Sequence, residues 1–392
     1  MAIRIWPFGT ETPADAQASA PTAADAYGAV LEALPEPLMV IRAEPASSER
    51  RITFANAAAR EFFHLGDEAR MLVAAIRRPE VLQMVESSLA TGEPGEVPFE
   101  AQDRLLRALA RPLARSNGAA RETVLLLRDE TDARRSERMR ADFLANASHE
   151  LRTPLASVKG FIETLRGHAK EDPVARDKFL GIMANQTDRM GRLIEDLMSL
   201  SRIELNEHVP PEGKVETALV AGDVVDAVAP MAMKSGVRID LAADNNCAIE
   251  GDRDQILQVI QNLVDNALKY SPSGTTVTVE VLGDRGEDEV LAQIDPERTR
   301  LPLTPSPHGA GQRFVVVRVS DQGPGIDRDQ LPRLTERFYR APGQKSGERN
   351  GTGLGLAIVK HIVNRHRGGL SVESAPGRGA TFIVHLPMRA VQ

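Results

Sequence analysis

Two stretches near the middle of the chain repeat apolar residues with the period of an α-helix, and this pattern limits the possible folds more than any other feature. The first stripe has apolar residues at positions 143, 147, 151, 154, 158, 162 and 165. The second runs from Phe179 to Leu200, after the turn-forming segment GHAKEDP. This spacing predicts two antiparallel helices joined by a short turn. Because a two-helix hairpin covers only part of each stripe, we expect a homodimer that forms a four-helix bundle.

The rest of the chain divides around this hairpin, since 392 residues exceed one ordinary core. We predict a disordered leader at 1–26, a mixed α/β unit at 27–130, the hairpin with its polar connector at 131–208, and an α+β unit at 209–392. Within the last unit, 283–312 separates two strand-like runs and is interpreted as an exposed, mobile insertion. The predicted fold class is multidomain α+β.

Composition argues against several classes of protein. A formal net charge of −7 argues against direct nucleic-acid binding, because phosphate contacts need clustered Lys and Arg. The single cysteine, Cys247, excludes an intrachain disulfide and a multi-cysteine metal cluster, so we expect a reducing, cytoplasmic compartment. No run approaches the roughly 18 apolar residues of a membrane span. Any membrane association would therefore depend on a partner or on a segment upstream.

His149 lies in the first predicted helix, on the side turned away from the apolar stripe. At about 100° per residue its imidazole projects on the order of 170° from that stripe and faces water. Thr153 follows one turn later and Glu150 flanks the pair. Pro154 cannot donate to the carbonyl of Glu150, so a distorted turn is expected beside the histidine. Taken alone, such a histidine is more often an ordinary solvated side chain than a nucleophile. The other seven histidines are assigned to surfaces, among them His168, His208, His361 and His366.

The neighbours of His149 carry a resemblance that favours the nucleophile. SHELRTPL, at 148–155, resembles the phosphoacceptor box of sensor histidine kinases, and RMGRLIEDLMSLSRIE is similar to the phosphate-regulon sensor kinase group. The resemblance covers about 131–390. It implies that His149 is autophosphorylated, that Glu150 is its acid–base partner, and that Thr153 orients water when the partner, a response regulator, is dephosphorylated. It also implies phosphate-starvation signalling as a possible context.

A phosphate donor needs a nucleotide site, and the C-terminal unit offers separated pieces of one. In DQILQVIQNLVDNALKYS the polar residues Asn262, Asp265, Asn266 and Lys269 fall on one helix face. An amide oxygen there suits Mg²⁺, and a lysine can neutralise phosphate. Alone, this pattern is also that of an ordinary surface helix.

Two glycine segments supply further pieces. VSDQGPGI ends a strand at Asp321, and its glycines permit a close approach of the backbone to a ligand. RNGTGLGLAIVKHIV places three glycines before an apolar helix, whose N-terminal amides can meet phosphate oxygens. Between ERFYRAP and this motif, GQKSGE is interpreted as a lid that nucleotide orders.

In this order the segments resemble the N, G1, F and G2 boxes of the α/β sandwich ATP-binding fold shared by histidine kinases, the Hsp90 chaperones and the MutL repair ATPases. This implies ATP and Mg²⁺, with Asn266 binding the metal, Lys269 a phosphate, Asp321 adenine and Arg340 the γ-phosphate. The other implied nucleotide-binding residues are Asn262, Tyr270, Gly323, Gly325, Gly351, Thr352, Gly353, Leu354 and Gly355. GRGATFIVHLP, with Thr381, completes the pattern. Hydrolytic members carry a glutamate where this chain has Asn262, so the water-activating base is absent.

The first unit is similar to a PAS sensor domain in LEALPEPLMVIRAE and ITFANAAAREFF. Two alternatives to a kinase stay open at this point. One is an ATP-driven conformational clamp of the Hsp90 or MutL type, which the helical hairpin and the absent glutamate oppose. The other is a non-catalytic dimeric scaffold with a degenerate nucleotide pocket.

Overall fold

The computed structural model describes residues 23–43, 49–66, 71–113, 122–167, 170–292, 295–305, 311–341 and 351–388. The chain divides into two compact units between Ala141 and Asp142. The predicted leader lies outside the described residues up to position 22, and 23–26 already belong to a helix, which corrects the predicted boundary. Among the described helices, none combines the length and the hydropathy that crossing a bilayer requires.

The first unit is built on a five-stranded antiparallel sheet. Its described helices are α1 (Ala23–Ala33), α2 (Ala57–Phe62), α3 (Leu72–Ala75) and α4 (Pro79–Thr91), and its strands are β1 (Leu38–Ala43), β2 (Arg50–Ala55), β3 (Gly95–Ala101), β4 (Arg104–Leu113) and β5 (Glu122–Asp129). The strand order is β2-β1-β5-β4-β3. Val81 and Val85 of α4 are fully buried against Met39, Ile41 and Leu125 of the sheet. The predicted mixed α/β unit is confirmed.

Two long helices follow, α5 (Thr131–Arg166) and α6 (Pro173–Leu205). Helix α5 continues through Pro154 without interruption, so the expected distortion stays a prediction. Helix α6 begins at Pro173, and the Asp172 carboxylate accepts from the backbone N–H of Val174 and Ala175, both at 3.0 Å. This is a favourable helix start, because it satisfies amide donors that have no partner inside the helix.

The C-terminal part of the second unit is a six-stranded sheet with three longer helices on one face and one short helix on the other. The helices are α7 (Thr217–Ser235), α8 (Arg253–Tyr270), α9 (Glu287–Leu291) and α10 (Gly355–Arg365); the strands are β6 (Lys214–Glu216), β7 (Arg238–Ala243), β8 (Ala248–Glu250), β9 (Thr276–Arg285), β10 (Thr299–Thr304), β11 (Phe314–Ser320), β12 (Gly369–Ser374) and β13 (Ala380–Pro387). The sheet order is β10-β12-β13-β11-β9-β7, antiparallel except for β7 with β9, while β6 and β8 form a separate pair. Alternation along β11 sends Val315, Val317 and Val319 into one core with α7, α8 and α10.

The segment between β9 and β11 differs from its prediction. We expected an exposed loop over 283–312, but residues 287–291 form α9, and 299–304 form β10, which pairs with β12 along the sheet edge. Val290 is buried with Phe314, Val316 and Ile383 on the face opposite α8. The interpretation as an exposed insertion was wrong for these residues, because Val290 covers a sheet face that would otherwise contact water. Residues 306–310 lie outside the described part.

The assignment of seven histidines to surfaces was also wrong for two of them. His366 and His385 are 5% and 7% exposed. The Nε2 atom of His366 accepts from the Asp252 backbone N–H at 3.1 Å, and Nδ1 lies 2.8 Å from the Ile362 carbonyl oxygen, so the neutral ring satisfies both contacts. Burial lowers the pKa of His366, because the charged imidazolium would lose its water.

We expect this histidine to make folding pH-dependent. Because its pKa is lower in the folded chain, its contribution to stability is complete above the unfolded pKa of about 6.5 and is lost as pH falls through the folded value. The difference in thermal unfolding midpoint between wild type and His366→Gln should therefore shrink from pH 8 to pH 5. His208→Gln, at an exposed position, is the matched control, and a His366 difference as independent of pH as the control would contradict the assignment.

Candidate functional site

A cleft of about 980 Å³ lies in the second unit where α6, α8 and the N-terminus of α10 meet. Its walls include residues of all three helices, together with Asp321 and Gly325 after β11 and Ala380 and Phe382 of β13. Most of the nucleotide-binding residues predicted from sequence line this cleft. Gly323 and Leu354 are not among the lining residues, but each is close in sequence to residues that are.

Helix α8 supplies one wall because its two faces differ in polarity. Ile256, Ile260 and Leu263 are fully buried in the core, as the spacing predicted. The cleft-lining residues on the opposite face are Asn262, Asp265, Asn266 and Lys269. Burial raises the pKa of Asp265, and its Oδ1 atom has no hydrogen-bond partner within the described part of the chain. This wall therefore presents amide, carboxylate and ammonium groups to one space.

The glycines before α10 bring the backbone close to this wall. Gly353 has a φ of 75°, and a side chain there would place Cβ 2.9 Å from the backbone of Phe338, so glycine is required. A Cβ on Gly351 would lie 3.1 Å from Lys269 Nζ, and one on Gly355 would lie 2.8 Å from Asn262 Oδ1. The first turn of α10 therefore lies directly against the polar face of α8. The backbone N–H groups at a helix N-terminus generally attract anions, so this turn is a candidate anion site.

Asp321 lies at the other end of the cleft and is 8% exposed. Its Oδ1 atom accepts from the backbone N–H of Gly323 at 2.8 Å and of Ala380 at 3.2 Å, which fixes the carboxylate. Burial raises the pKa of Asp321, and these two hydrogen bonds oppose that rise. A buried, oriented carboxylate of this kind can accept a hydrogen bond from an amine of a flat heterocycle.

Helix α6 forms the wall that sequence reasoning missed. Arg189, Arg192, Asp196 and Ser199 fall at i, i+3, i+7 and i+10 on one helix face, and all line the cleft. The Thr352 hydroxyl donates to Asp196 Oδ2 at 2.6 Å, and it accepts from the Leu354 backbone N–H at 3.2 Å. Burial raises the pKa of Asp196, which the Thr352 hydrogen bond opposes. The spacing of these residues is visible in the sequence, but a polar helix face usually indicates contact with solvent rather than a binding site.

The predicted nucleophile lies outside the cleft lining. His149 and Thr153 are exposed, as predicted, and Glu150 is half-buried. Glu150, the next residue after His149, has its Oε2 atom 2.9 Å from Arg189 and 3.4 Å from Arg340, so two guanidinium groups hold this carboxylate. Arg340 also contacts the Gly351 carbonyl. Arg340 and Arg189 both line the cleft, so they connect it to the histidine patch, formed by His149, Glu150 and Thr153.

The single cysteine is a structural residue of the core. Cys247 is fully buried, and burial raises the pKa of its thiol to about 11, so it is not a nucleophile at neutral pH. Among the described residues, no three His, Cys, Asp or Glu side chains cluster as metal ligands. Tyr270, one of the implied nucleotide-binding residues, lies with its ring 4.7 Å from Lys269 Nζ. The predicted lid, GQKSGE, lies outside the described residues.

Three family models match the chain. "Histidine kinase-, DNA gyrase B-, and HSP90-like ATPase" matches residues 251–390, "His Kinase A (phospho-acceptor) domain" matches 139–206, and "PAS domain" matches 27–96. The first of these models contains the three predicted pieces at 262–270, 321–325 and 351–355, and the second contains His149.

Among known proteins, the chain is similar to the phosphate regulon sensor protein PhoR of Pseudomonas aeruginosa, at 36% identity over 75% of this chain and 59% of that protein. It is also similar to the sensor histidine kinase WalK of Bacillus subtilis, at 30% identity over 75% of this chain and 44% of that protein. A solved structure of histidine kinase ThkA in complex with response regulator protein TrrA covers 92% of this chain, with 98% of that chain matched, 20% identity and a TM-score of 0.46. The chain thus spans about half the length of the curated relatives it matches.

The contact between Asp196 and Thr352 predicts an effect on anion binding. Asp196→Asn keeps a hydrogen-bond acceptor but removes a negative charge from the N-terminal turn of α10, where charge effects are on the order of 1 kcal/mol. We expect a fluorescent ATP analogue to bind about fivefold more tightly to the variant, as measured by titration.

The control for this prediction is Asp188→Asn, which makes the same chemical change on α6 at an exposed position outside the cleft lining. It should leave the affinity unchanged. Equal affinity of Asp196→Asn and wild type would show that this carboxylate does not oppose the nucleotide.

Proposed function

The chain belongs to the sensor histidine kinases, and from that premise we propose that it transfers the γ-phosphoryl group of ATP to His149 and from there to an aspartate of a response regulator. We propose the segment limits 27–130, 131–208 and 209–392 for its PAS, phospho-acceptor and ATP-binding domains. Since both ATP and response regulators are cytoplasmic, we also propose that these domains act in the cytoplasm.

In the proposed reaction an imidazole nitrogen of His149 attacks the γ-phosphorus in line with the bond that breaks, and ADP leaves. Glu150 takes up the proton that the imidazole loses, because it is the adjacent carboxylate. Arg189 pairs with that carboxylate at 2.9 Å. Lys269 and Arg340 are positioned at the cleft to stabilise the negative charge spread over the phosphoryl oxygens. Asp321 binds the adenine.

The donor set of the cleft also fits Mg²⁺. The Asn266 amide oxygen would hold the ion together with nucleotide phosphates, since Mg²⁺ takes few protein oxygens. When bound, the ion supplies charge neutralisation at the phosphates. The residue at the position of the hydrolytic glutamate is Asn262, which cannot act as a base. The cleft is therefore suited to transfer to a protein group rather than to water, which disfavours the conformational clamp as an alternative.

One observation carries the proposal more than any other. Glu150, next to an exposed histidine, shares an ion pair with Arg340, and Arg340 lines the cleft formed by the nucleotide-binding segments. The Arg340 guanidinium therefore contacts both the residue that follows His149 and the Gly351 carbonyl at the cleft. A degenerate scaffold offers no reason for this arrangement.

The proposal is tested by incubation with γ-labelled ATP and Mg²⁺. We expect acid-labile, alkali-stable label on wild type, none on His149→Gln, and undiminished label on the control His208→Gln. Glu150→Gln should slow labelling by about 10²- to 10⁴-fold, the usual contribution of a general base. Undiminished label on His149→Gln would exclude this histidine as the acceptor.

The labelled protein also tests the second half of the proposal, transfer of the phosphoryl group to a response regulator. Label should pass to a cognate response regulator, and we propose that Thr153, whose hydroxyl donates to the His149 carbonyl at 3.3 Å, assists the later dephosphorylation of that regulator. Phosphate-starvation signalling is the context that the similarity to PhoR favours. Thr153→Ala should leave labelling of His149 intact and prolong the lifetime of the labelled regulator. If that lifetime is unchanged, the phosphatase role is wrong.

We further propose that the chain is a homodimer through α5 and α6. Large apolar side chains on these helices are exposed in the single chain, with exposed fractions of 60% for Leu155, 50% for Ile194 and 58% for Met198. Exposed apolar surface along two adjacent helices is the pattern that bundle formation buries.

For the dimer, Leu155→Glu should raise the dissociation constant at least about a hundredfold, since two copies of the side chain each lose on the order of 2 kcal/mol of burial. Sedimentation equilibrium measures this directly. Leu219→Glu on α7, where the leucine is 70% exposed, is the matched control and should leave the dimer intact. A monomeric wild type, or equal dimerisation of Leu155→Glu and wild type, would contradict this interface.

A further inference from the structure

We infer that Arg298, in the segment between β9 and β11, is a positioning residue for base recognition at Asp321. This inference rests on the proposed function, because it concerns the adenine end of the same cleft. Arg298 does not line the cleft and acts through Thr381, so it is not a catalytic residue.

The contacts form a short chain of hydrogen bonds behind Asp321. Arg298 donates from Nη1 to the Thr381 hydroxyl at 3.1 Å, and that hydroxyl lies 2.9 Å from the Ser320 hydroxyl. Ser320 pairs with Thr381 between β11 and β13, and each is a chain neighbour of a residue of the recognition site. Asp321 follows Ser320, and Ala380, which precedes Thr381, donates to Asp321 Oδ1. The guanidinium thus fixes the point where both strands reach the cleft.

The segment that carries Arg298 is anchored by ion pairs and by strand pairing. Asp295 Oδ2 lies 3.2 Å from Arg298 Nε, so the guanidinium is fixed on a second side. The next residues pair with β12, with Thr299 opposite Ser374 and Arg300 opposite Glu373. Arg300 lies 3.3 Å from Glu373, which is fully buried. Loss of one partner from a buried ion pair strongly destabilises the folded protein. This pair therefore keeps the segment at the edge of the sheet.

Arg298 also acts on Asp321 by its charge. Burial raises the pKa of Asp321, and the field of Arg298, its nearby charged side chain, opposes that rise. An ionised carboxylate accepts the hydrogen bonds of an amine, whereas a protonated one presents a donor to it. The guanidinium therefore preserves both the position and the acceptor character of the group that reads the base.

The test is nucleotide binding by Arg298→Met, measured by displacement of a fluorescent ATP analogue. We expect the dissociation constants for ATP and ADP to rise by the same factor, about tenfold, because the interaction that is weakened indirectly, that of Asp321 with the base, is common to both nucleotides. Discrimination of ATP against GTP should fall. In the variant the affinity for ADP should also begin to fall at a higher pH than in wild type, since Asp321 then protonates more readily.

Two further variants separate positioning from folding. Arg298→Lys keeps the positive charge and should restore most of the affinity, while Arg313→Met makes the same change at a half-exposed arginine paired with Asp284 and should have no effect. Unchanged ADP affinity of Arg298→Met would overturn the inference. The inference would also be overturned by a loss of affinity with three features. Arg298→Lys would fail to restore it, the unfolding temperature would fall, and the pH profile and the discrimination against GTP would be unchanged. If wild type takes up label at His149 in either case, the proposed function stands, whereas absence of label in wild type overturns that proposal instead.

Discussion

The packing of α6 against α10 is the interaction on which the second unit depends. Leu193, Leu200 and Ile203 of α6 are buried in the same core as Ile358 and Ile362 of α10. A helix of the phospho-acceptor hairpin is therefore also part of the hydrophobic core of the ATP-binding domain. This shared core brings the histidine patch near the cleft, and it also makes α6 one wall of the cleft.

The polar contacts around that core are of a different kind. Arg337 lies 2.6 Å from Glu204, and His361 Nδ1 lies 2.9 Å from Glu207. Such partly exposed polar contacts contribute about 0–1 kcal/mol each, so most of the docking energy of the two domains comes from the apolar core. The buried leucines contribute on the order of 2 kcal/mol each and must be exposed if α6 leaves. The proposed transfer to His149 therefore requires either a movement that keeps this apolar contact or one that a partner or ligand stabilises.

Much of the fold and of the site followed from local patterns. The helical hairpin was predictable because its apolar period extends over many turns, and the polar face of α8 because amides and a lysine repeat at i, i+4 and i+7 beside an apolar face. The segment between β9 and β11 was misread because its few apolar residues, such as Val290, become core only against a sheet face whose existence depends on distant strands. His366 was misread for the same reason, since its ring contacts Asp252, which precedes α8 and is far away in the sequence. Local sequence does not specify such non-local contacts.

The acidic residue on α6 shows how one constraint produces another. Because α6 must present apolar residues to α10 at positions 193 and 200, the helix period fixes which residues between them face the cleft, and Asp196 is one of them. Its carboxylate is therefore brought to the N-terminal turn of α10 by packing, where it binds the Thr352 hydroxyl. A bound phosphate at this helix terminus and the Asp196 carboxylate would carry the same sign of charge. Under the proposed function, docking of α6 and binding of nucleotide phosphates would therefore be coupled.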